Sequence, residues 1–320
     1  MIITKTPLRI SFIGGGTDHL VDEKSYGSVI ATSINKFIYL SLIENYQNKY
    51  LVNYSQTEKV SKITQIKHPI VRETLKYFKI NKPIEVHVAA DITSRGSGLG
   101  SSGTFSVGLV NLLSHYKKIS LKKKDIAKLA YDIEINRCNN ISGKQDQYQS
   151  SFGGLNQIFF YSNGNVEVKK LKINSERIKT LENNLIVFNT SKTRKSANIQ
   201  KQLSLNKKNK DEFKILNSLL KDFKQELIYG DLDNCGRVLH ESWKIKKKFT
   251  SKISNSLINK SYNIAIKNGA IGGKILGAGG GGFLLFYCKK ENQSKLIKKL
   301  NFLQKLEFKF YKDGSSLQKI

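Results

Sequence analysis

One segment, Arg95-Gly96-Ser97-Gly98-Leu99-Gly100-Ser101-Ser102-Gly103, constrains this chain more than any other. It carries four glycines and three serines. Ahead of it, residues 84–88 alternate apolar and polar as a strand does; behind it, the apolar stretch 104–116 reads as a helix. Glycines let the backbone approach a ligand with no Cβ in the way. Successive N–H groups leading into a helix N-terminus form an anion cradle. Ser101 and Ser102 add hydroxyls for phosphate oxygens or a metal. A tight strand-to-helix turn needs fewer glycines than this, so the segment predicts a phosphate-binding loop.

The kind of phosphate loop follows from context. Gly98, Gly100 and Gly103 match the dinucleotide pattern G-x-G-x-x-G, which by itself is weak. That reading requires a second parallel strand with an acid about 20 residues on. Here a second helical pattern, 125–136, comes next, and Asp125 opens it. A Walker A loop requires a lysine near its end, and none stands between Gly103 and Thr104. The His-Arg-Asp and Asp-Phe-Gly motifs of protein kinases are absent.

Periodicity organises the rest. Residues 3–12 and 29–42 read as strands, the second as one or two. Residues 68–78 have helical spacing. Asn163-Gly164-Asn165 marks a hairpin turn between 159–161 and 166–168. Residues 185–189 read as a strand, 211–229, 231–249 and 254–268 as helices, 283–287 as a strand, and a helix and the strand 306–311 end the pattern. Strands and helices mix without alternating one for one, which predicts an α+β protein with mixed or antiparallel sheets packed against helices. The polar stretch 169–184 suggests a division into residues 1–175 and 176–320.

Of 54 basic residues only seven are arginine, and the formal net charge is +29. Base readout leans on arginine's planar fork, whereas these lysines, including Lys246-Lys247-Lys248, are scattered along the helices. The charge therefore reads as a lysine-rich surface that helps gather anionic substrates, with a polyanion or nucleic-acid binder as the alternative of another class. Cys138, Cys235 and Cys288 are far apart and imply neither a disulfide framework nor a zinc site. No apolar run approaches bilayer length and the N-terminus lacks signal-peptide order, so a cytoplasmic protein is expected.

The segment 97–103 resembles the Gly-Leu-Gly-Ser-Ser loop of the GHMP kinases. Thr6-Pro7-Leu8-Arg9-Ile10 followed by Gly14-Gly15-Gly16-Thr17-Asp18 resembles that family's N-terminal motif, and residues 273–282 resemble its C-terminal motif. The resemblance implies a two-domain fold with the ATP cleft between domains, and ATP and Mg²⁺ as cofactors. ATP would lie on Arg95, Gly96, Ser97, Gly98, Leu99, Gly100, Ser101, Ser102 and Gly103. Ser102 and Glu134 would hold magnesium. Asp146, in Gly143-Lys144-Gln145-Asp146-Gln147, would orient and deprotonate the acceptor hydroxyl. Arg9 would stabilise the transferring phosphate. Asp18 would bind sugar hydroxyls, with Gly15, Gly16 and Thr17 beside it and Gly279 and Gly280 of the C-terminal motif opposite.

Within the family, residues 10–18, 143–148 and Leu239-His240-Glu241-Ser242-Trp243 are most similar to the D-glycero-D-manno-heptose 7-phosphate kinases. The implied reaction phosphorylates the C1 hydroxyl, a step of nucleotide-activated heptose synthesis for surface polysaccharide. A fucose- or galactose-type C1 kinase is the alternative in the same class. A 7-phosphate requires cations, for which Arg194, in Lys192-Thr193-Arg194-Lys195-Ser196, Arg95 and Lys274 are the candidates. The expected partner is a small sugar phosphate, with no nucleic acid and no membrane; a homodimer is left open.

Overall fold

The computed structural model describes residues 1–19, 26–92, 96–190 and 210–318. In chain order its first half contains β1 (Ile2–Ile13), β2 (Gly27–Glu44), β3 (Tyr50–Asn53), β4 (Thr57–Val60), α1 (Pro69–Tyr77), β5 (Ile84–Ala90), α2 (Ser101–Tyr116), α3 (Lys123–Asp132), α4 (Gln145–Phe152), β6 (Leu155–Phe160) and β7 (Val166–Lys170). The second half contains α5 (Ser175–Asn183), β8 (Leu185–Asn189), α6 (Lys210–Ile228), α7 (Leu232–Lys248), α8 (Ser256–Lys267), β9 (Ala270–Ile275), β10 (Phe283–Cys288), α9 (Lys290–Lys299), β11 (Gln304–Leu306) and β12 (Ser316–Gln318). The α+β class expected from the sequence is the one observed.

Two sheets carry the fold. The larger runs β12-β1-β2-β5-β3-β4, with β6 also paired to β2 and β7 to β6; the smaller runs β11-β8-β10-β9. β2 is one strand of 18 residues that changes partners midway. Its first part pairs with β6 and its last with β5, while β1 accompanies it on the other side. The β1–β2 register shifts twice, after Pro7 between these parts and after Ser11 opposite the part paired with β6. Pro7 has no N–H to give a ladder, and a bulge tolerates such a residue. Arg9 sits immediately past the first shift, where a bulge re-aims a side chain.

Local chemistry explains most element ends. The β6–β7 hairpin turns on Gly164 at φ 83°, and Asn163 Oδ1 accepts from the Asn165 N–H at 3.0 Å. Asp231 caps α7 by accepting from the Asp233 N–H at 2.9 Å. The helix expected over 125–136 divides in two: α3 stops at Asp132 and a wider π turn, Ile133–Arg137, follows. The strand expected over 306–311 is not there. β11 ends at Leu306, and residues 309–311 instead bond to the bend of β2, through Asn35 N–H to Lys309 O and Tyr311 N–H to Ser33 O. β12 then joins β1 at the sheet edge.

One buried cluster joins Leu8, Phe12 and Leu40 of the large sheet to Val107 of α2, Phe223 of α6, and Leu285 and Tyr287 of the small sheet. A second collects Trp243, Tyr262 and Phe286. Trp243 is thus a core residue. Cys235 and Cys288 are buried and Cys138 partly so; all three are free thiols. Among the described residues, no helix is long and apolar enough to cross a membrane.

The two glycine clusters meet backbone to backbone. A Cβ on Gly98 would run into the Leu276 carbonyl, one on Gly277 would stand 2.5 Å from Gly98 Cα, and one on Gly282 would run into the Ser97 carbonyl. Gly282 also has φ 92°, a left-handed conformation that side chains resist. Gly282→Ala is therefore expected to destabilise the protein by about 2–3 kcal/mol and lower Tm by roughly 5–10 °C. Thermal unfolding checks this; an unchanged Tm would contradict the close approach.

Candidate active site

The glycine loop ends where Gly100, at φ 81°, turns the chain into α2. The helix begins at Ser101, three residues before the apolar run, so the N–H groups of Ser101, Ser102 and Gly103 lie at its N-terminus without intrahelical partners. Ser97 Oγ receives the Leu99 N–H at 3.2 Å and lies 3.0 Å from Ser101 Oγ, which fixes the loop's shape. Leu99 itself is fully buried and anchors the loop through its side chain.

Arg9 holds this loop to the segment that carries Asp146. Its backbone N–H donates to Leu99 O at 3.0 Å, and its Nη1 donates to Gly98 O. Its Nε and Nη2 reach Asp146 Oδ1 at 2.8 and 2.7 Å. Asp146 lies in the first turn of α4. Gly103 makes room for it, since a Cβ there would stand 2.6 Å from Asp146 Cβ.

Glu134 projects from the π turn, a helix irregularity common at functional sites. Its side chain is buried and accepts from Ser102 Oγ, from Ser106 Oγ at 3.2 Å and from Gln147 Nε2 at 2.8 Å. Burial pushes its carboxyl above the usual range, and the Asp146 charge adds to the rise, against those three hydrogen bonds. A buried carboxylate beside a loop hydroxyl is a suitable hard-oxygen pair for a divalent cation that arrives with a nucleotide. Among the described residues no cluster of three or more His, Cys, Asp or Glu could hold a metal by itself.

These groups wall a cavity of about 260 Å³. Arg9, Gly15, Gly16, residues 96–98 and 100–102, Glu134 and Asp146 border it, and so does Lys274. Lys274 comes from β9 in the other half of the chain. It is buried, and its Nζ donates to Phe12 O at 2.8 Å. Burial, with Arg9 nearby, pushes its ammonium down to about 7.

Other expected residues lie elsewhere. Thr17 is buried, donating its hydroxyl to Gly14 O at 2.8 Å and accepting from the Ser28 N–H at 3.0 Å; it shapes the loop. Asp18 sits behind Gly143, where a Cβ would collide with its carboxylate, and Oδ2 accepts from the Gln145 N–H at 3.3 Å. Gly279 and Gly280 pack on the turn at Ile253, with the Gly280 N–H donating to Ile253 O at 2.6 Å. Arg95 and Arg194 lie outside the described residues.

Sequence reasoning missed several members. Lys246 reads as one lysine of a surface run, yet it is buried, borders the cavity and donates to Gly277 O. Ser106 was findable, one helical turn past Ser102 on the same face. Ser11 and Gln145 also border the cavity; they flank Arg9 and Asp146 in sequence, the only signal they offered.

Residues 65–154 match the GHMP kinases N terminal domain and residues 219–304 the GHMP kinases C terminal domain. The chain is 32% identical, over 98% of its length and 97% of the relative's, to a D-glycero-alpha-D-manno-heptose 7-phosphate kinase of Campylobacter jejuni. The chain belongs to the GHMP kinase family. It is a phosphotransferase with a hydroxyl acceptor. A solved putative sugar kinase from Campylobacter jejuni superposes with a TM-score of 0.79 at 30% identity, covering 100% of this chain and 98% of that one. A D-glycero-D-manno-heptose 1-phosphate kinase from Bacteriodes thetaiotaomicron has the same fold, with a TM-score of 0.79 at 24% identity and coverage of 100% and 99%.

Lys274 gives this kinase a pH signature. A lysine whose folded pKa is depressed leaves the native state short of a proton that the unfolded chain holds. Its contribution to stability therefore rises with pH from about 7 to the unfolded value, and below about 7 its burial penalty is complete. Lys274→Met is expected to gain most over the unmodified protein at pH 7 and less at pH 9.5. Urea unfolding at the two pH values checks this; an equal difference at both would show that Lys274 is not buried as a titrating cation.

Proposed function

We propose that this kinase transfers the γ-phosphoryl group of ATP to the C1 hydroxyl of D-glycero-D-manno-heptose 7-phosphate, giving the 1,7-bisphosphate in the cytoplasm as a step toward nucleotide-activated heptose for surface polysaccharide. The chemistry is supported above all by one observation: the buried Arg9 guanidinium joins the glycine loop to the Asp146 carboxylate. The choice of acceptor is supported by the 32% identity to a heptose 7-phosphate kinase over nearly the whole chain.

In this reading ATP lies with its phosphates on residues 96–103 and the N-terminus of α2. Asp146 takes the proton of the attacking hydroxyl as the new O–P bond forms. The bond from the γ-phosphorus to the ADP oxygen breaks, and ADP leaves with that electron pair. The proton then passes from Asp146 to water. Arg9 holds the carboxylate toward the cavity and offers positive charge to the transferring group. Ser102 and Glu134 would hold magnesium, which supplies charge neutralisation at the phosphate oxygens. Lys274 is the cation best placed to meet a phosphate, because it is buried, borders the cavity and has only the Phe12 carbonyl as a partner among the described residues.

A panel of sugars and sugar phosphates with ATP and magnesium, read as ADP release, is expected to show heptose 7-phosphate turned over with the highest kcat/KM. A free hexose preferred over it would replace the acceptor assignment. Asp146→Asn is expected to lower kcat by about 10³-fold, within the range for losing a positioned base. Its KM for ATP should stay within a factor of about three. Near-normal kcat would remove Asp146 from the role of base.

A further inference from the structure

Three consecutive glycines, 14 to 16, follow β1, and two of them have structural reasons. Gly14 has φ 83° and lies against the Ser28 carbonyl, with no room for a Cβ. Gly16 has φ 100°. Gly15 has neither constraint. It is outside the left-handed region, and a Cβ there would meet nothing nearer than Ser11 Oγ at 3.4 Å, followed by both amide atoms of Gln145 at 3.9 Å. Folding does not require a glycine at this position. The space its hydrogen leaves open is bounded by a hydroxyl and a carboxamide.

Those two polar groups have no partners among the described residues. Ser11 Oγ and Gln145 Oε1 are buried and unpaired. Ser11 is only 3% exposed. Burying such groups unpaired costs free energy that a ligand's hydrogen bonds recover. Both residues, with Gly15, border the cavity that holds Arg9 and Asp146.

Their placement is ordered relative to the reacting pair. Arg9 and Ser11 are two residues apart on β1 with unbroken register, so they project to the same face. Gln145 and Asp146 are consecutive at the start of α4. Arg9 with Asp146 therefore makes one rung of the wall, and Ser11 with Gln145 makes the next. Asp18 steadies the second rung by accepting from the Gln145 N–H.

We propose that Ser11, Gln145 and the open face of Gly15 form a subsite that grips a second, non-reacting hydroxyl of a polyhydroxylated acceptor. A hydroxyl both donates and accepts, as a serine hydroxyl and a carboxamide do, so one alcohol satisfies both. A site built this way discriminates against an analogue lacking the hydroxyl, because its own polar groups are then left buried and unpaired. The proposal rests on the kinase reading and specifies what the acceptor must present besides the reacting alcohol.

The test compares the preferred acceptor of the panel with its monodeoxy analogues, in the unmodified kinase, in Ser11→Ala/Gln145→Leu and in Gly15→Ala. In the unmodified kinase one analogue is expected to lose about 100-fold in kcat/KM. In the double variant the same comparison should shrink to within about five-fold, with the KM for ATP unchanged. Gly15→Ala is expected to keep its Tm within about 1 °C while its acceptor KM rises about 10- to 100-fold. Equal turnover of every monodeoxy analogue, or discrimination that survives in the double variant, would overturn the subsite and leave the kinase reading intact. A Tm drop of several degrees in Gly15→Ala would also overturn it, by showing that the fold itself requires that glycine. If no sugar of the panel is phosphorylated, the kinase reading fails instead. The subsite is then judged by thermal protection: heptose 7-phosphate stabilising the unmodified protein and not Gly15→Ala supports it, and equal or absent protection ends it.

Discussion

The site is organised around a single guanidinium. Arg9 is 3% exposed, and a charge so far from water needs its hydrogen bonds met. It meets them with the loop carbonyl of Gly98 and the carboxylate of Asp146. The glycine loop, the end of β1 and the start of α4 are thereby fixed relative to one another. Each comes from a different part of the chain, and none alone has a reason to hold the others. Removing either partner would leave a buried charge unmatched, which is more damaging than never having had the pair. The arrangement that prepares the chemistry thus also stabilises the cleft.

The glycines divide by the job they do. Gly98, Gly277 and Gly282 let two loops from opposite halves of the chain lie backbone against backbone. Gly100 turns the chain into α2, and Gly103 leaves room for Asp146. Both glycine clusters stand out in the sequence as motifs, but the dependence of one upon the other does not. Only the folded contacts show that the C-terminal cluster packs against the first glycine loop and brings Lys274 to the same cleft.

Much of the fold was legible because the buried faces follow simple periods. The strand of 84–90, the helix of 101–116 and the hairpin of 155–170 obey rules of alternation and turn chemistry. α4 was not legible, because four of its five buried residues, Gln147, Gln149, Ser150 and Ser151, are polar, and Tyr148 alone makes no apolar stripe. Hydrogen bonds fix this helix: Gln149 Nε2 donates to Gly154 O at 2.7 Å and to Ser33 Oγ at 3.0 Å. β9 was hidden inside a glycine-rich run, and β12 is short and polar at a sheet edge. In the site, Arg9, Ser102, Glu134 and Asp146 were legible from motif resemblance. Lys246 was not, since charge patterning gives no sign that one lysine of three turns inward.

β12 ties residues 3–5 to residues 316–318, and the Ser315 hydroxyl lies 2.8 Å from that of Thr6. The strand that carries Arg9 is therefore flanked on one side by residues made some three hundred positions after it. During synthesis β1 must wait with an open edge while some three hundred residues follow it, and such an edge is a template for pairing with other chains. The edge of the strand that positions the guanidinium thus stays open until β12 has been made, and any pull on β12 bears mechanically on that strand.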